Sequence, residues 1–278
     1  MKIAYTGWTW MNAGPNATDA EKIAMFEQSA KEIAYLGYDC MENFAFISDF
    51  VTPEMAREIG DKYNCPLVNV YGHFTTDVDV EVEKAKKQID WLAEVGGKWF
   101  NCQSGRPSDC PDDFDDTVLR PEGVLAICEI CNRVGEYAIS KGIQLCFHPH
   151  AATYVFSREQ IDFFAANTNP EYVFFCLDTA HTTLAGVDPV ELCAAYADRI
   201  GYMHLKDVDP AHVPVPPRGK MGAFRALGLG TVNFRGVVNV LKEKGYDGVL
   251  CVELDNPEIC NFHSAQVSRE YIRNALKL

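Results

Sequence analysis

Eight short apolar segments, each followed by a longer stretch with helical periodicity, run through almost the whole chain. The segments are rich in Val, Ile, Leu, Phe, Tyr and Cys, and most of them follow a Gly or Pro. Segments of this kind are typical of buried β-strands. They cover residues 2–6, 38–42, 67–71, 98–103, 144–148, 173–178, 201–206 and 248–253. Strands that alternate with helices predict a parallel sheet, and over 278 residues a single closed (β/α)₈ TIM barrel fits best.

The helical stretches begin with residues that commonly cap helices. Thr18 followed by Glu21 has the pattern of a capping box, and Ser157, Asp188 and Asn233 are candidate caps of later helices. The clearest predicted helices cover residues 19–36, 52–63, 77–95, 120–141 and 234–244, and a weaker one covers 264–277.

The main alternative architecture is an open, doubly wound sheet. A sheet of that kind that binds dinucleotides carries a glycine-rich loop after its first strand, whereas this chain continues from Tyr5 with TGWTWMNAGPN. The sequence contains no linker, low-complexity run or internal repeat. We therefore expect residues 1–278 to form one barrel domain.

The charge balance argues against several classes of partner. The chain has 25 basic and 39 acidic residues, a net charge of −14, and no basic cluster. Binding to nucleic acid or to an anionic membrane surface requires a basic face, so neither partner is expected. The first residues, MKIAYTGWTW, lack the pattern of a signal peptide, and no apolar run is long enough for a membrane helix. We expect a cytoplasmic protein.

Eleven cysteines are distributed along the chain, many of them in or beside predicted strands. A long chain in a reducing compartment uses such residues as small buried hydrophobes. Cys128 and Cys131 form one C-x-x-C pattern on a predicted helix, without a second pair. We therefore expect buried thiols there rather than a zinc or redox site.

Imidazole and carboxylate groups follow four consecutive strands, at the barrel end where active sites of this architecture lie. They are His148 and His150, Asp178 and His181, His204, Lys206 and Asp207, and Glu253 and Asp255. Residues two apart share a face of a strand, so His148 and His150 are expected to face the site together, as are His204 and Lys206. His, Asp and Glu suit one divalent ion of intermediate hardness: Mn²⁺, Co²⁺, Zn²⁺, Fe²⁺ or Mg²⁺.

Other strand ends supply candidate substrate contacts. The predicted set is Trp8, Glu42, His73, Gln103, His150, His181 and Lys206. Aromatic residues at a site mouth either stack on a sugar ring or simply pack, and the sequence leaves both readings open. A buried Lys206 requires a charge that offsets its own, and Asp207 is the candidate partner.

Residues 207–233 form an unusually long connection, DVDPAHVPVPPRGKMGAFRALGLGTVN. A loop of this length within a compact domain usually serves a function, and here we expect a lid that closes over the site. The alternative is a variable surface loop.

The second half of the chain resembles the xylose isomerase-like barrels, which include sugar phosphate isomerases and epimerases, and within them the inosose dehydratases. The matching text is HPHAATYV, LDTAHTTLAGVDP, YMHLKDV and LGLGTVNFRGVVNVLKEKGYDGVLCVE. The resemblance implies one divalent metal ion held from the ends of strands five to eight, by His148, Asp178, His204 and Glu253.

Three departures from the related patterns bear on the reaction. Many epimerases have Glu where this chain has His148, which argues against a mechanism with two glutamates and leaves Glu253 as the main carboxylate base. The dehydratases resemble this chain in their His-x-His, but they have Gly-Thr near residues 152–153. They also tend to have a second Glu and Asp-Pro where this chain reads Leu-Asp-Asn-Pro over 254–257.

These observations predict a metal-dependent enzyme that enolises a small keto-polyol, most simply an inosose-like or keto-sugar substrate that then loses water. Candidate bases are Glu253, His148 and His150, and His181 or His150 is expected to protonate the departing hydroxyl. The alternatives are a sugar or sugar-phosphate isomerase or epimerase on the same metal site, and a non-catalytic sugar-binding protein. The expected partner is a sugar or inositol-derived small molecule, with a homo-oligomer left open.

Overall fold

Eight parallel strands close into a barrel, in the order β1–β10–β7–β6–β5–β4–β3–β2. The computed structural model describes residues 1–107, 110, 114–212 and 220–278. The barrel strands are β1 (Lys2–Thr6), β2 (Cys40–Phe44), β3 (Leu67–Phe74), β4 (Trp99–Ser104), β5 (Gln144–Phe147), β6 (Val173–Asp178), β7 (Ile200–Leu205) and β10 (Val249–Val252). All eight predicted strands and the closed (β/α)₈ architecture are confirmed, with strand ends that shift by at most three residues.

Helices connect the strands along the chain. They are α1 (Asp19–Tyr35), α2 (Pro53–Tyr63), α3 (Val78–Val95), α4 (Pro121–Ser140), α5 (Arg158–Ala166), α6 (Thr179–Leu184), α7 (Pro189–Tyr196), α8 (Phe234–Glu243) and α9 (Asn261–Tyr271). The predicted capping box of Thr18 and Glu21 forms, and Ser157, Asp188 and Asn233 each accept a backbone N–H at the start of a helix. No helix in the described ranges is both long enough and apolar enough to span a bilayer.

Cysteine side chains fill the barrel interior below a ring of polar groups. Cys40, Cys146, Cys176 and Cys251 are fully buried in one cluster with Tyr202. Each of these cysteines lies two residues before a Glu, His or Asp on or directly after the same strand. Because side chains two apart share a face, the polar groups project toward the barrel axis one layer above the thiols.

The C-x-x-C pattern lies inside α4, with both thiols free. Cys128 and Cys131 are buried against the apolar core, and burial raises the pKa of the Cys128 thiol to about 12. A thiol with so high a pKa is a poor nucleophile and a poor metal ligand, in agreement with the expected packing role.

The long connection at 207–233 contains more regular structure than a simple loop. β8 (Asp207–Val208) pairs antiparallel with β9 (Phe224–Arg225), outside the barrel. Phe224 and Val208 pack in a small apolar cluster with Ala180 and Leu254. Both ends of the predicted lid are therefore attached to the barrel rim, and its residues 213–219 lie outside the described residues.

Candidate active site

A cluster of buried acids and imidazoles lies at the carboxyl ends of β5, β6, β7 and β10. His204 Nδ1 is 3.0 Å from Glu253 Oε2 and 4.0 Å from Asp178 Oδ2. Each of these three residues offers one ligand atom within 4.8 Å of the other two. His148, Asp178 and His181 form a second group of the same kind. Asp178 belongs to both groups, so it links His148 to the other two predicted metal ligands.

Each of the four predicted metal ligands carries one buried polar atom that makes no hydrogen bond among the described residues, although Glu253 Oε2 is in ion-pair contact with Lys206 Nζ at 3.0 Å. These atoms are His148 Nε2, Asp178 Oδ2, His204 Nδ1 and Glu253 Oε2. Buried polar atoms are rarely left unpaired, because an unpaired group costs about 1–3 kcal/mol. Four such atoms in one cluster therefore indicate a site built for a cation.

Glu42 fixes the orientation of His204 from inside the barrel. The imidazole Nε2 lies 3.0 Å from Glu42 Oε1, and the other Glu42 oxygen accepts the Asn101 amide at 2.8 Å. A carboxylate accepts the Nε2 proton, so the second ring nitrogen, Nδ1, faces Glu253, where it holds a proton in the metal-free protein and would bind a metal ion through its lone pair. Two acceptor atoms 3.0 Å apart repel each other unless a proton or a metal ion lies between them.

The pKa of His204 agrees with the presence of a proton or a metal ion at Nδ1. Burial opposes protonation of the ring, but the neighbouring Cys176, Glu42 and Glu253 outweigh burial and raise the pKa of His204 well above its usual range. A surrounding that attracts a proton to this nitrogen also attracts a metal ion, because both bind the same lone pair.

Lys206 neutralises part of the acidic cluster. Its ammonium is fully buried, 3.0 Å from Glu253 and 2.7 Å from Asp255, and it lies 4.4 Å from the centroid of the Phe224 ring. Burial opposes ionisation of Glu253, yet Lys206 and His204 together hold the pKa of Glu253 well below its usual range. Glu253 is therefore a carboxylate at neutral pH.

The expectation that Asp207 offsets the charge of Lys206 is wrong. Adjacent residues of an extended segment point to opposite faces, so Asp207 points away from the ammonium. Its carboxylate instead accepts the backbone N–H groups of Val208, Gly228, Gly230 and Val232, at 2.9–3.1 Å. Asp207 thereby anchors the segment that returns from β9, and Asp255 and Glu253 are the partners of Lys206.

His150 and His181 stack at the edge of the cluster, with ring centroids 3.8 Å apart. His150 Nδ1 lies 2.6 Å from the Ala151 carbonyl oxygen, so this nitrogen carries the proton and Nε2 is free to accept. His181 Nδ1 accepts the Ala151 N–H at 3.4 Å, so its proton lies on Nε2. The two rings therefore present one acceptor and one donor.

Burial keeps these imidazoles neutral. Burial, with a smaller effect of Lys206, lowers the pKa of His150 to about 4. It also lowers the pKa of His148 and of His181 well below the usual range. Neutral imidazole is the form that binds metal ions and accepts protons.

A cavity of about 320 Å³ opens above the cluster. Four of the predicted substrate contacts line it, namely Trp8, His73, Gln103 and His150, together with the predicted base Glu253. The other three do not line it: Lys206 and His181 are fully buried, and Glu42 is 1% exposed and contacts His204. The structure therefore places Glu42 as a support of His204 and not at the wall of this cavity.

Comparison with known families agrees with the architecture. A family model described as "Xylose isomerase-like TIM barrel" matches residues 30–277. The chain belongs to this family. The match covers the ends of all four strands that carry the cluster, β5, β6, β7 and β10.

This xylose isomerase-like barrel is similar to dehydratases in sequence and to further proteins in fold. An inosose dehydratase of Clostridium tetani is 34% identical over an alignment 292 positions long, which covers 98% of this chain and 96% of the relative. Among solved structures, an L-ribulose 3-epimerase has a TM-score of 0.75 at 17% identity and covers 99% of this chain and 94% of its own. The IOLI protein, solved with a bound zinc atom, has a TM-score of 0.75 at 16% identity, with coverages of 99% and 97%. The two structures show that the fold is shared.

Four cavity residues of this barrel were absent from the predicted ligands, bases and substrate contacts: Phe44, Tyr71 and Asn256, and Asp255, which the sequence placed at a strand end without a role. Three of them obey the two-residue alternation of a strand, since Phe44 follows Glu42, Tyr71 precedes His73 and Asp255 follows Glu253 by two. Applying this period to every predicted strand end would have found them. Asn256 breaks the alternation, because the chain turns after Leu254.

Proposed function

We propose that this protein is a metal-dependent lyase that removes water from an inosose-like or keto-sugar substrate. The observation that carries the proposal is the set of four buried atoms without a hydrogen bond, one from the end of each of four consecutive strands. The relationship to inosose dehydratases over nearly the whole chain supports the reaction class.

His148, Asp178, His204 and Glu253 are the proposed metal ligands. Their unpaired nitrogen and oxygen atoms form a donor set that suits a divalent ion of intermediate hardness. When bound, such an ion supplies Lewis-acid chemistry that polarises a ketone and makes the neighbouring C–H bond more acidic. A protein that only bound sugar would gain nothing from four costly unpaired groups, which disfavours the binding-protein alternative.

Glu253 is the proposed base. It is ionised, it lines the cavity, and it takes the proton from the carbon beside the ketone. The C–O bond on the next carbon then breaks, and the leaving hydroxyl departs as water with the proton that Glu253 has accepted, which returns Glu253 to its ionised form and balances the cycle. His181 does not line the cavity, so Glu253 takes over the role of acid that was predicted for a histidine. Lys206 keeps Glu253 ionised and in place between turnovers.

The second candidate function is epimerisation at the carbon beside the ketone. One observation favours it: His150 Nε2 is a neutral acceptor in the same cavity as Glu253. Two bases in one cavity allow a proton to be removed on one face and returned on the other. Both reactions begin with the same proton removal, so they differ only in the fate of the enolised intermediate.

The test is solvent deuterium exchange by the metal-loaded protein with inososes and keto-sugars. The wild-type protein is expected to exchange the proton beside the ketone, and absorbance of an enone product separates elimination from epimerisation. Glu253→Gln should reduce exchange by at least about 100-fold, a typical contribution of one general base, while some metal affinity survives.

Glu258→Gln is the matched control. Glu258 lies on the same connection after β10 but pairs with Arg225 and does not line the cavity. Exchange at the wild-type rate in Glu253→Gln with metal bound would move the base to His150 or His148. Absence of exchange with every ketone offered to the wild-type protein would refute the enolisation chemistry.

A further inference from the structure

A second, larger cavity adjoins the first. Its volume is about 760 Å³, against about 320 Å³ for the cavity above the acidic cluster. The two cavities share four wall residues: Trp8, Phe44, Asp255 and Asn256. Pockets for small ligands span about 300–1,000 Å³, so the inner cavity is at the lower end of this range and the outer cavity is well inside it.

The walls of the outer cavity have the chemistry of a sugar subsite. Trp8 stacks on Phe44, with ring centroids 5.0 Å apart and planes 15° apart, and Phe46 packs edge-on against Phe44 while remaining 42% exposed. Asn12 and Asn261 add amide groups to the same walls. Aromatic faces that bind C–H groups, with amides that bind hydroxyls, form a surface suited to a pyranose ring.

The two sides of this cavity are held together before any ligand binds. Asn261, at the start of α9, donates its side-chain N–H to the Thr9 carbonyl at 3.0 Å. Trp10 donates its indole N–H to Glu32 at 2.6 Å and packs against Tyr5. A preformed cavity binds its ligand without the cost of ordering its walls.

We propose that the substrate is a keto-glycoside of two rings, with the ketone-bearing ring in the inner cavity and a second pyranose ring in the outer cavity. This inference rests on the proposed enolisation chemistry and deepens it. A monocyclic keto-polyol leaves the outer cavity, with its exposed Phe46, unused. Asp255 and Asn256 lie at the boundary of the two cavities, where the bond between the two rings passes.

The test compares two substrates that share the ketone-bearing ring: its methyl glycoside, and the disaccharide that carries glucose in place of the methyl group. For the metal-loaded wild-type protein, kcat/KM for deuterium exchange is expected to be at least about tenfold higher for the disaccharide. Phe46→Ala should remove most of this preference, because Phe46 lines the outer cavity and not the inner one.

Ile139→Ala is the matched control, since Ile139 is equally exposed, at 41%, but lies on α4 away from both cavities. Equal kcat/KM for the two substrates, or a preference that survives in Phe46→Ala, overturns the two-ring substrate while leaving the enolisation chemistry intact. A tenfold higher preference for an aromatic glycoside than for the disaccharide also overturns it, in favour of an aromatic second group.

A binding measurement covers the case in which no substrate exchanges. Calorimetry with the disaccharide then decides, because binding does not require turnover. Tighter binding by at least about tenfold to wild type than to Phe46→Ala supports the outer subsite even if the proposed reaction is wrong. Equal binding to the two proteins overturns it.

Discussion

Replacing Glu42 tests whether a carboxylate inside the barrel raises the metal affinity of the site through its contact with His204. Glu42 is fully buried and accepts from His204 Nε2 and from the Asn101 amide. Glu42→Ala leaves two buried donors without an acceptor, and at about 1–3 kcal/mol for each the free energy of unfolding should fall by about 2–6 kcal/mol. Without its acceptor, the His204 ring is also free to take the other tautomer or to rotate.

Metal affinity is expected to fall as well, by about 10–100-fold, the usual effect of removing the partner of a metal-binding histidine. That loss corresponds to about 1.4–2.7 kcal/mol of binding free energy. Glu42→Gln should behave differently, because the amide oxygen still accepts from His204. Its NH₂ group can donate to Asn101 Oδ1, which has no hydrogen bond among the described residues. This variant should keep most of the stability and lose less affinity than Glu42→Ala.

The assay is calorimetric titration of the metal-free protein with Co²⁺, together with the visible absorption of bound Co²⁺, which reports the ligand geometry. Urea unfolding measures stability separately. Gln160→Ala is the matched control, since Gln160 is a buried side chain in α5 with four hydrogen bonds and no contact with the site. It should lose stability and retain Co²⁺ affinity. Wild-type affinity and absorption in Glu42→Ala would refute the role of Glu42.

Three further predictions follow from the contacts of the site. Lys206→Met leaves Glu253 and Asp255 without their buried counter-ion, so urea unfolding of the metal-free protein should show a free energy of unfolding lower by about 3–5 kcal/mol. An unchanged free energy of unfolding would contradict the ion pairs. Asp207→Asn has one acceptor oxygen for four backbone N–H groups, so limited proteolysis should cut within 208–228 well before global unfolding. Resistance equal to that of the wild-type protein would argue against Asp207 as the anchor of this segment. His204→Ala should abolish tight metal binding while circular dichroism shows a folded barrel, and full metal occupancy would remove His204 from the ligand set.

Much of the architecture could be predicted from local patterns. Strands, helix caps and the closed barrel depend on hydrophobic periodicity and on short-range hydrogen bonds such as that between Thr18 and Glu21. Both signals lie within short stretches of the sequence. The candidate ligands could be found for a related reason. A barrel places its strand ends at one rim, so chain positions as distant as 148 and 253 are brought to the same site once the fold is known.

The pairing of charges within the site was decided by the tertiary structure. Glu42 and His204 are 162 residues apart, and only the closure and register of the barrel bring them to 3.0 Å. Proximity in sequence suggested Asp207 as the partner of Lys206, but the pleat of the strand turns these two side chains to opposite faces. Asp255, at the end of a neighbouring strand, pairs with the Lys206 ammonium instead. The sequence by itself determines which side chains reach the rim of the barrel, because the periodicity of a strand is local. Which of these side chains contact one another depends on the packing of strands across the barrel, and no local pattern in the sequence encodes that packing.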